Sequence, residues 1–270
     1  MKVEKVFADA FSTLKEKPLL LGVKFAGSFL ITLITLGLAF AFLGSAALQV
    51  LSSPDEATAR SLLEPFFSDM GVMGAVLVIV AMLAVVIAAV LMDSLTSLMV
   101  LHGANAGRKT LNWRSLMKSA LPRVLPLMWT ELLYGLAVAG AFLAIAAVIA
   151  LASLVNPLLG VGVAVFAILG GFIAFAYAGL RLYTLAPVVA FENLSGWKAI
   201  QRSYTLGEGN VFNAFIAVLV TTLIGTSVGV AETGLNLIPV LGLLLSWALN
   251  VAFATFVLVL LASFYSAVKK

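Results

Sequence analysis

Charged and polar residues along this chain fall into a few short stretches, separated by six long apolar blocks at 19–50, 71–101, 127–153, 158–188, 211–231 and 238–267. Each block exceeds the ~20 residues that carry a helix across a bilayer core. Several approach thirty, so those helices are expected to tilt or to project beyond the lipid. None alternates apolar and polar positions as a membrane β-barrel strand would. The connections "LVNPLL" and "LNLIPVLG", with Pro157 and Pro239, read as tight turns between spans. The expected fold is therefore all-α, a polytopic membrane protein with six transmembrane helices in a single domain, 1–270.

Three of the polar stretches share one design. In the first, Val3, Val6, Phe7, Ala10 and Leu14 recur at helical spacing opposite Lys2, Lys5, Asp9 and Glu16. In the second, Trp113, Leu116, Met117, Ala120 and Val124 oppose Arg114, Ser115 and Lys118. In the third, Trp197, Ile200 and Tyr204 oppose Lys198, Gln201, Arg202 and Thr205. Each pattern predicts an amphipathic helix of about three turns. Asn112 and Ser195 fit the N-cap positions of the last two. Breakers follow each: Pro18, then Pro122 and Pro126, then Gly207 and Gly209. An interfacial helix, a span out and a span back thus recur, predicting a threefold parallel repeat with units 1–105, 106–190 and 191–270.

Composition agrees with a membrane solvent, since 63% of residues are hydrophobic and only 10% charged, too few to cover a soluble domain. The absence of cysteine excludes disulfides and thiolate chemistry, and one histidine, His102, excludes a multi-His metal site. No metal and no cofactor is expected. The N-terminal stretch mixes charges of both signs and is not expected to be a signal peptide. With the N-terminus in the cytoplasm, fourteen of the 16 Lys and Arg residues fall inside or at the inner edge, including Lys2, Lys5, Lys17, Lys24, Arg108, Lys109 and Lys269. The outer loops then hold Arg60 beside Asp55, Glu56, Glu64 and Asp69. This asymmetry predicts a multi-pass protein of the cell membrane with both termini cytoplasmic. It also accounts for the net charge of +4 without a nucleic-acid partner.

The remaining base, Arg181, opens the run "RLYTLAPVVAFENLSGWKAIQRSYTLGEGN". An arginine near a span's inner end, a proline, "VVAFEN", an amphipathic "WKAIQRSYTL" helix and a glycine before a new span follow in order. This run resembles the membrane domain associated with glycerophosphodiester phosphodiesterases and its stand-alone relatives of unknown function. In that family hydrolysis belongs to a separate soluble barrel, for which this chain has no room. The resemblance implies a multi-span module with a membrane-sensing, scaffolding or transport-accessory role, and not phosphodiesterase activity.

Asp93, Glu131 and Arg181 lie within the predicted spans at similar depth. Charges in lipid usually face inward and pair, and Arg181 can offer its planar donor fork to either carboxylate. Arg181 is therefore expected to contact Glu131 or Asp93. The cluster is either a structural ion pair or the lining of a polar cavity with Ser94, Thr96, Trp129, Tyr134, Tyr177 and Tyr183. His102 is expected to be a tolerated interfacial residue, and Glu232 a residue of an outer turn. Gly225 and Gly229, and Gly170, Ala174 and Ala178, form small stripes suited to helix packing.

No nucleophile, general base or ligand set is assembled at a recognisable spacing, so no enzyme is expected. The function expected is a non-enzymatic membrane module that binds lipid or a partner membrane protein at the cytoplasmic face. Its lipid contacts would be Trp113, Arg114, Lys118, Trp197, Lys198 and Arg202. The alternative is a transporter or channel subunit that uses the Asp93, Glu131 and Arg181 cluster. The topology predicts that a cysteine at Ser53 reacts with an impermeant thiol reagent from outside the cell and one at Ala104 does not. Reversed labelling would refute it.

Overall fold

The computed structural model describes residues 2–43, 72–106, 111–235, 238 and 241–269, and every regular element among them is helical. In chain order these are α1 (Val3–Glu16), α2 (Leu19–Leu43), α3 (Val72–Asn105), α4 (Trp113–Val155) and α5 (Pro157–Arg181). They continue as α6 (Leu185–Glu192), α7 (Gly196–Leu206), α8 (Val211–Leu235) and α9 (Leu241–Val268). Six helical stretches are long and apolar enough to cross a membrane, matching the six expected blocks. The outer-loop charges from Asp55 to Asp69, together with Arg108, Lys109 and Pro239, lie outside the described residues.

Helix ends follow local chemistry. Pro18 lacks an N–H, and α1 stops two residues before it. Asn156 serves two helices. Its backbone N–H closes α4 on the Ala152 carbonyl, while its side-chain oxygen accepts from Leu158 N at 2.8 Å to start α5, with Pro157 in the first turn. Asn112 caps α4 as expected, accepting from Arg114 N at 3.1 Å. Ser195 occupies the N-cap position of α7 but makes no capping bond through its side chain. The Gly196 N–H is taken up instead by Thr130 Oγ1 of α4, at 2.7 Å. Asn193, in the left-handed region at φ 58°, ends α6 and sets the chain's direction into α7.

Three expectations are corrected. Pro122 and Pro126 do not separate an interfacial helix from a span, because α4 runs through both as one helix of 43 residues. The prolines stand one turn apart, so the carbonyls they deprive of a donor lie on one stripe. The buried stripe Leu116, Ala120, Val124, Leu127 and Thr130 continues unbroken past them, so packing holds the helix together where propensity would end it. Glu232 lies in the last turn of α8 rather than in a loop. The small stripe on α5 is off by one position. A Cβ at Gly170 would meet nothing within 4 Å, whereas one at Gly171 would lie 3.1 Å from Ile145 of α4.

The chain forms two compact units, Phe25–Asp93 and the remainder. In the smaller, Phe29, Leu33, Ile79 and Met82 are exposed, as lipid-facing side chains are. Thr32 and Thr35 turn their hydroxyls back onto the carbonyls of Ser28 and Ile31, both at 2.9 Å, which satisfies them within the helix.

The larger unit has its core at the end that carries both chain termini. Leu98, Met99, Val100 and Leu101 are buried at four successive positions, so that turn of α3 is enclosed on every side. Pro187–Ala190 of α6 are enclosed in the same way. Val6 and Ala10 of α1, Leu20 and Val23 of α2, and Phe256, Val259, Leu260 and Phe264 of α9 complete this cluster. At the opposite end of the α4–α5 hairpin, Leu154 is 83% exposed and Leu158 82%. Farther from that turn the two helices touch through Phe142 and Phe175, stacked with ring centroids 4.6 Å apart.

Gly207 marks the closest approach in this core. A Cβ there would sit 2.5 Å from the Arg181 carbonyl oxygen and 2.8 Å from the Arg181 Cα, atoms of backbone that cannot rotate away. Gly207→Ala is expected to lower stability by about 1–3 kcal/mol. Gly229→Ala, whose Cβ meets nothing within 4 Å, should be neutral or slightly stabilising. Thermal melts of the two variants in detergent check the contrast.

Candidate functional site

The polar groups of the larger unit concentrate at its core end, where they tie helix termini together. Glu192, the last residue of α6, is the most connected. One carboxylate oxygen accepts from Arg202 Nε of α7 at 2.8 Å; the other accepts from the Tyr265 hydroxyl of α9 at 2.7 Å and lies 3.3 Å from Lys269 Nζ. Lys269 Nζ also donates to the Tyr265 hydroxyl at 3.0 Å. The Glu192 side chain is only 12% exposed, so these donors replace water around the charge. Hydrogen bonds to Tyr265 and Glu192 hold the Lys269 ammonium above the usual lysine pKa. Its stabilising effect is therefore complete below the ordinary value of 10.5 and fades as pH rises through the raised one.

Lys17 ties a second terminus. It follows α1, and its ammonium donates to the carbonyls of Gly103, at 3.0 Å, Ala104, at 3.2 Å, and Ala106. A cation on the orphan carbonyls of α3's last turn satisfies them and opposes the negative end of the helix dipole. Burial pushes the Lys17 pKa down, with Glu16 opposing the shift. Arg123 of α4 donates to the Val189 carbonyl at 3.2 Å and pins α6 in the same manner. Lys24, one turn into α2, is buried and donates to Ser97 Oγ at 2.9 Å.

Arg181 is buried at the end of α5, and its partners differ from those expected. Nη1 donates to the Tyr177 hydroxyl at 3.2 Å, the guanidinium carbon lies 4.0 Å from the Tyr204 ring centroid, and Nη2 lies 3.5 Å from Glu208. Glu131, on an exposed position of α4, is not among these partners. The reason is the turn at Leu182–Thr184. It carries the chain back so that α7 crosses the end of α5 at Gly207, and Tyr204 and Glu208 reach the guanidinium from that side. Glu208 is 76% exposed, so the cation–π contact with Tyr204 outweighs the ion pair.

The expected lipid-facing residues divide. Trp113 and Trp197 are 40% and 59% exposed, and Arg114, Lys118 and Lys198 are exposed as well. Arg202 directs Nε and Nη2 to Glu192 while its side chain stays 39% exposed. Trp129, expected as a cavity residue, is 53% exposed and lies against Gly196, the residue before Trp197, since a Cβ at Gly196 would be 3.1 Å from its indole nitrogen. Trp113 precedes Trp129 by 16 positions, about 24 Å of helix axis. Trp113 and Trp129 therefore lie at different depths wherever this part of α4 runs along the membrane normal.

No family model matches the chain, and no curated protein or solved structure matches it either. Among the described residues, no group of three or more His, Asp or Glu side chains is arranged to hold a metal ion. His102, whose Nε2 lies 3.1 Å from the Ser119 carbonyl, packs α3 against α4.

The Glu192 hub escaped sequence reasoning because its members lie 10 and 73 residues apart. The available signal was a glutamate closing the apolar run "LAPVVAFE". Glu192→Gln is expected to cost about 2 kcal/mol by weakening charge-assisted hydrogen bonds. Arg181→Ala should lower the melting temperature in detergent, whereas Glu208→Gln should leave it nearly unchanged. Equal effects of the Arg181 and Glu208 variants would show the ion pair, not the tyrosine cage, to be the main contact.

Proposed function

We propose that the protein is a non-enzymatic module of the cell membrane that binds lipid, or a partner membrane protein, at its cytoplasmic face. Both termini lie on that side in this reading. The observation that carries it is the exposure of Trp129 and Trp197 on the two helices that meet at the Trp129–Gly196 contact, with Lys198, next in the chain, exposed as well. Indole rings favour the layer between hydrocarbon and water, and neighbouring bases favour anionic lipid. From Trp129 to the end of α4 is about 39 Å of helix, enough to cross a ~30 Å core with tilt. α1 and α7 each bury one side against the bundle and leave charged residues on the other, which fits amphipathic interfacial helices. The resemblance to the membrane domain associated with glycerophosphodiester phosphodiesterases points the same way.

The transporter or channel reading draws no support from Arg181, whose partners are two tyrosines and an exposed glutamate rather than Glu131.

Depth-dependent fluorescence quenching tests the proposal. With the other tryptophans replaced by phenylalanine, Trp197 in reconstituted protein should be quenched most by lipids brominated near the headgroup. The quenching should strengthen when anionic lipid replaces neutral lipid. Maximal quenching by bromines at the bilayer centre, or none at any depth, would refute the headgroup placement.

A further inference from the structure

α1 is flanked by two cavities of different character. The first, of about 430 Å³, is walled by Lys2 at the N-cap of α1, Lys5 and Asp9 within α1, Asn105 at the end of α3, Asn210 before α8, and Ser266 of α9. The second, of about 660 Å³, lies along the neighbouring side of α1 against α8; Val3, Phe7, Ile216 and Val220 form its apolar part, and Lys2, Glu4 and Asn213 its polar part. Lys2 borders both. Each volume falls in the range of small-molecule sites.

The sequence places these groups by helical spacing. Positions 2, 5 and 9 form one stripe along α1. Val6 and Ala10, one position further round, are buried and hold the helix against the bundle. Phe7 packs against Phe256 of α9, with ring centroids 6.1 Å apart.

The polar cavity carries two ammonium groups, one carboxylate and several neutral groups. A metal cation would be repelled by the two lysines. A bare anion would leave Asp9 facing like charge. A phosphodiester that bears a primary amine matches both lysines and the carboxylate at once. Lys2 and Lys5 donate to the phosphate oxygens, and Asp9 accepts from the ligand's ammonium. Ser266 directs its own proton to the Ala262 carbonyl at 2.9 Å, which leaves its lone pairs to accept from the same ammonium. The apolar part of the adjacent cavity, along Phe7, Ile216 and Val220, offers a place for an acyl chain.

We propose that this pair of cavities is a binding site for a glycerophospholipid with a primary-amine headgroup, held by Lys2, Lys5 and Asp9, with an acyl chain along Phe7, Ile216 and Val220. The site rests on the proposed function, because it requires this end of the bundle to lie at headgroup depth. It also narrows the choice between lipid and protein to one lipid class.

The test uses full-length protein, delipidated in detergent and titrated by native mass spectrometry. The probes are dihexanoyl phosphatidylethanolamine, dihexanoyl phosphatidylglycerol, dihexanoylglycerol and free phosphoethanolamine. Lys2, Lys5 and Asp9 are all exposed, so their variants should keep the parent's melting temperature. The parent should bind the phosphatidylethanolamine more tightly than the other three. Lys2→Ala combined with Lys5→Ala should weaken that binding about tenfold or more. Asp9→Asn should weaken phosphatidylethanolamine but not phosphatidylglycerol. Unchanged affinity in the double variant overturns the site, as does binding of dihexanoylglycerol equal to that of the phospholipids. Phosphoethanolamine binding as tightly as the lipid overturns the lipid source in favour of a soluble phosphoester. Failure of this site with Trp197 still quenched at headgroup depth leaves the broader function standing. Quenching of Trp197 at the bilayer centre removes that function whatever the titration gives.

Discussion

Hydrocarbon gives apolar side chains no reason to leave it. Two apolar helices in lipid gain nothing from burying leucine against leucine, as they would in water, so something else must fix their arrangement. In the larger unit, close packing and polar contacts at the end that carries the termini fix it. Leu98 to Leu101, Pro187 to Ala190 and the inner face of α9 are enclosed there, while the far ends of α4 and α5 leave leucine and phenylalanine exposed. The connections and short helices at that end bring polar backbone groups that must be satisfied, and this requirement directs the rest of the design.

The bases meet much of that requirement. Lys17 closes the C-terminal turn of α3, Arg123 holds the short α6, Arg181 joins the end of α5 to α7, and Arg202 with Lys269 gathers α6, α7 and α9 on Glu192. Each places a cation at or near a helix's C-terminal end, where unpaired carbonyls and the dipole favour it. The same residues belong to the clusters of Lys and Arg that stand out in the sequence. One population of side chains thus accounts for both the charge clusters and the architecture, and among the described residues bases such as Lys198 and the pair at the start of α1 are left to meet a ligand.

The two proposals follow this division. The exposed indoles at the α4–α7 crossing and the charged stripe on α1 are both side chains that the core does not use. They lie on helices that the core holds in place, Trp197 through the Thr130–Gly196 bond and Lys5 through the burial of Val6. Rigid backing lets an exposed group act as a recognition element without first paying the entropy of ordering.

The six spans, the helical class and the break at Pro18 are legible in the sequence because each depends on local chemistry. A run of apolar residues long enough to cross lipid must be helical, and a proline removes its own donor wherever it stands. The turn at Asn156–Pro157 and the cap at Asn112 belong to the same kind of fact. The continuity of α4 through Pro122 and Pro126 does not, because the packing of Leu116 to Thr130 on distant helices overrides the local break. Nor do the partners of Arg181 and Glu192, which were brought to them by the turn at Leu182–Thr184 and by the return of α9. The sequence alone set which segments are helical and which residues are costly to leave unpaired in lipid. Only the tertiary structure decided which pairs meet, because depth along a span limits where a charge lies and says nothing about which helix crosses beside it.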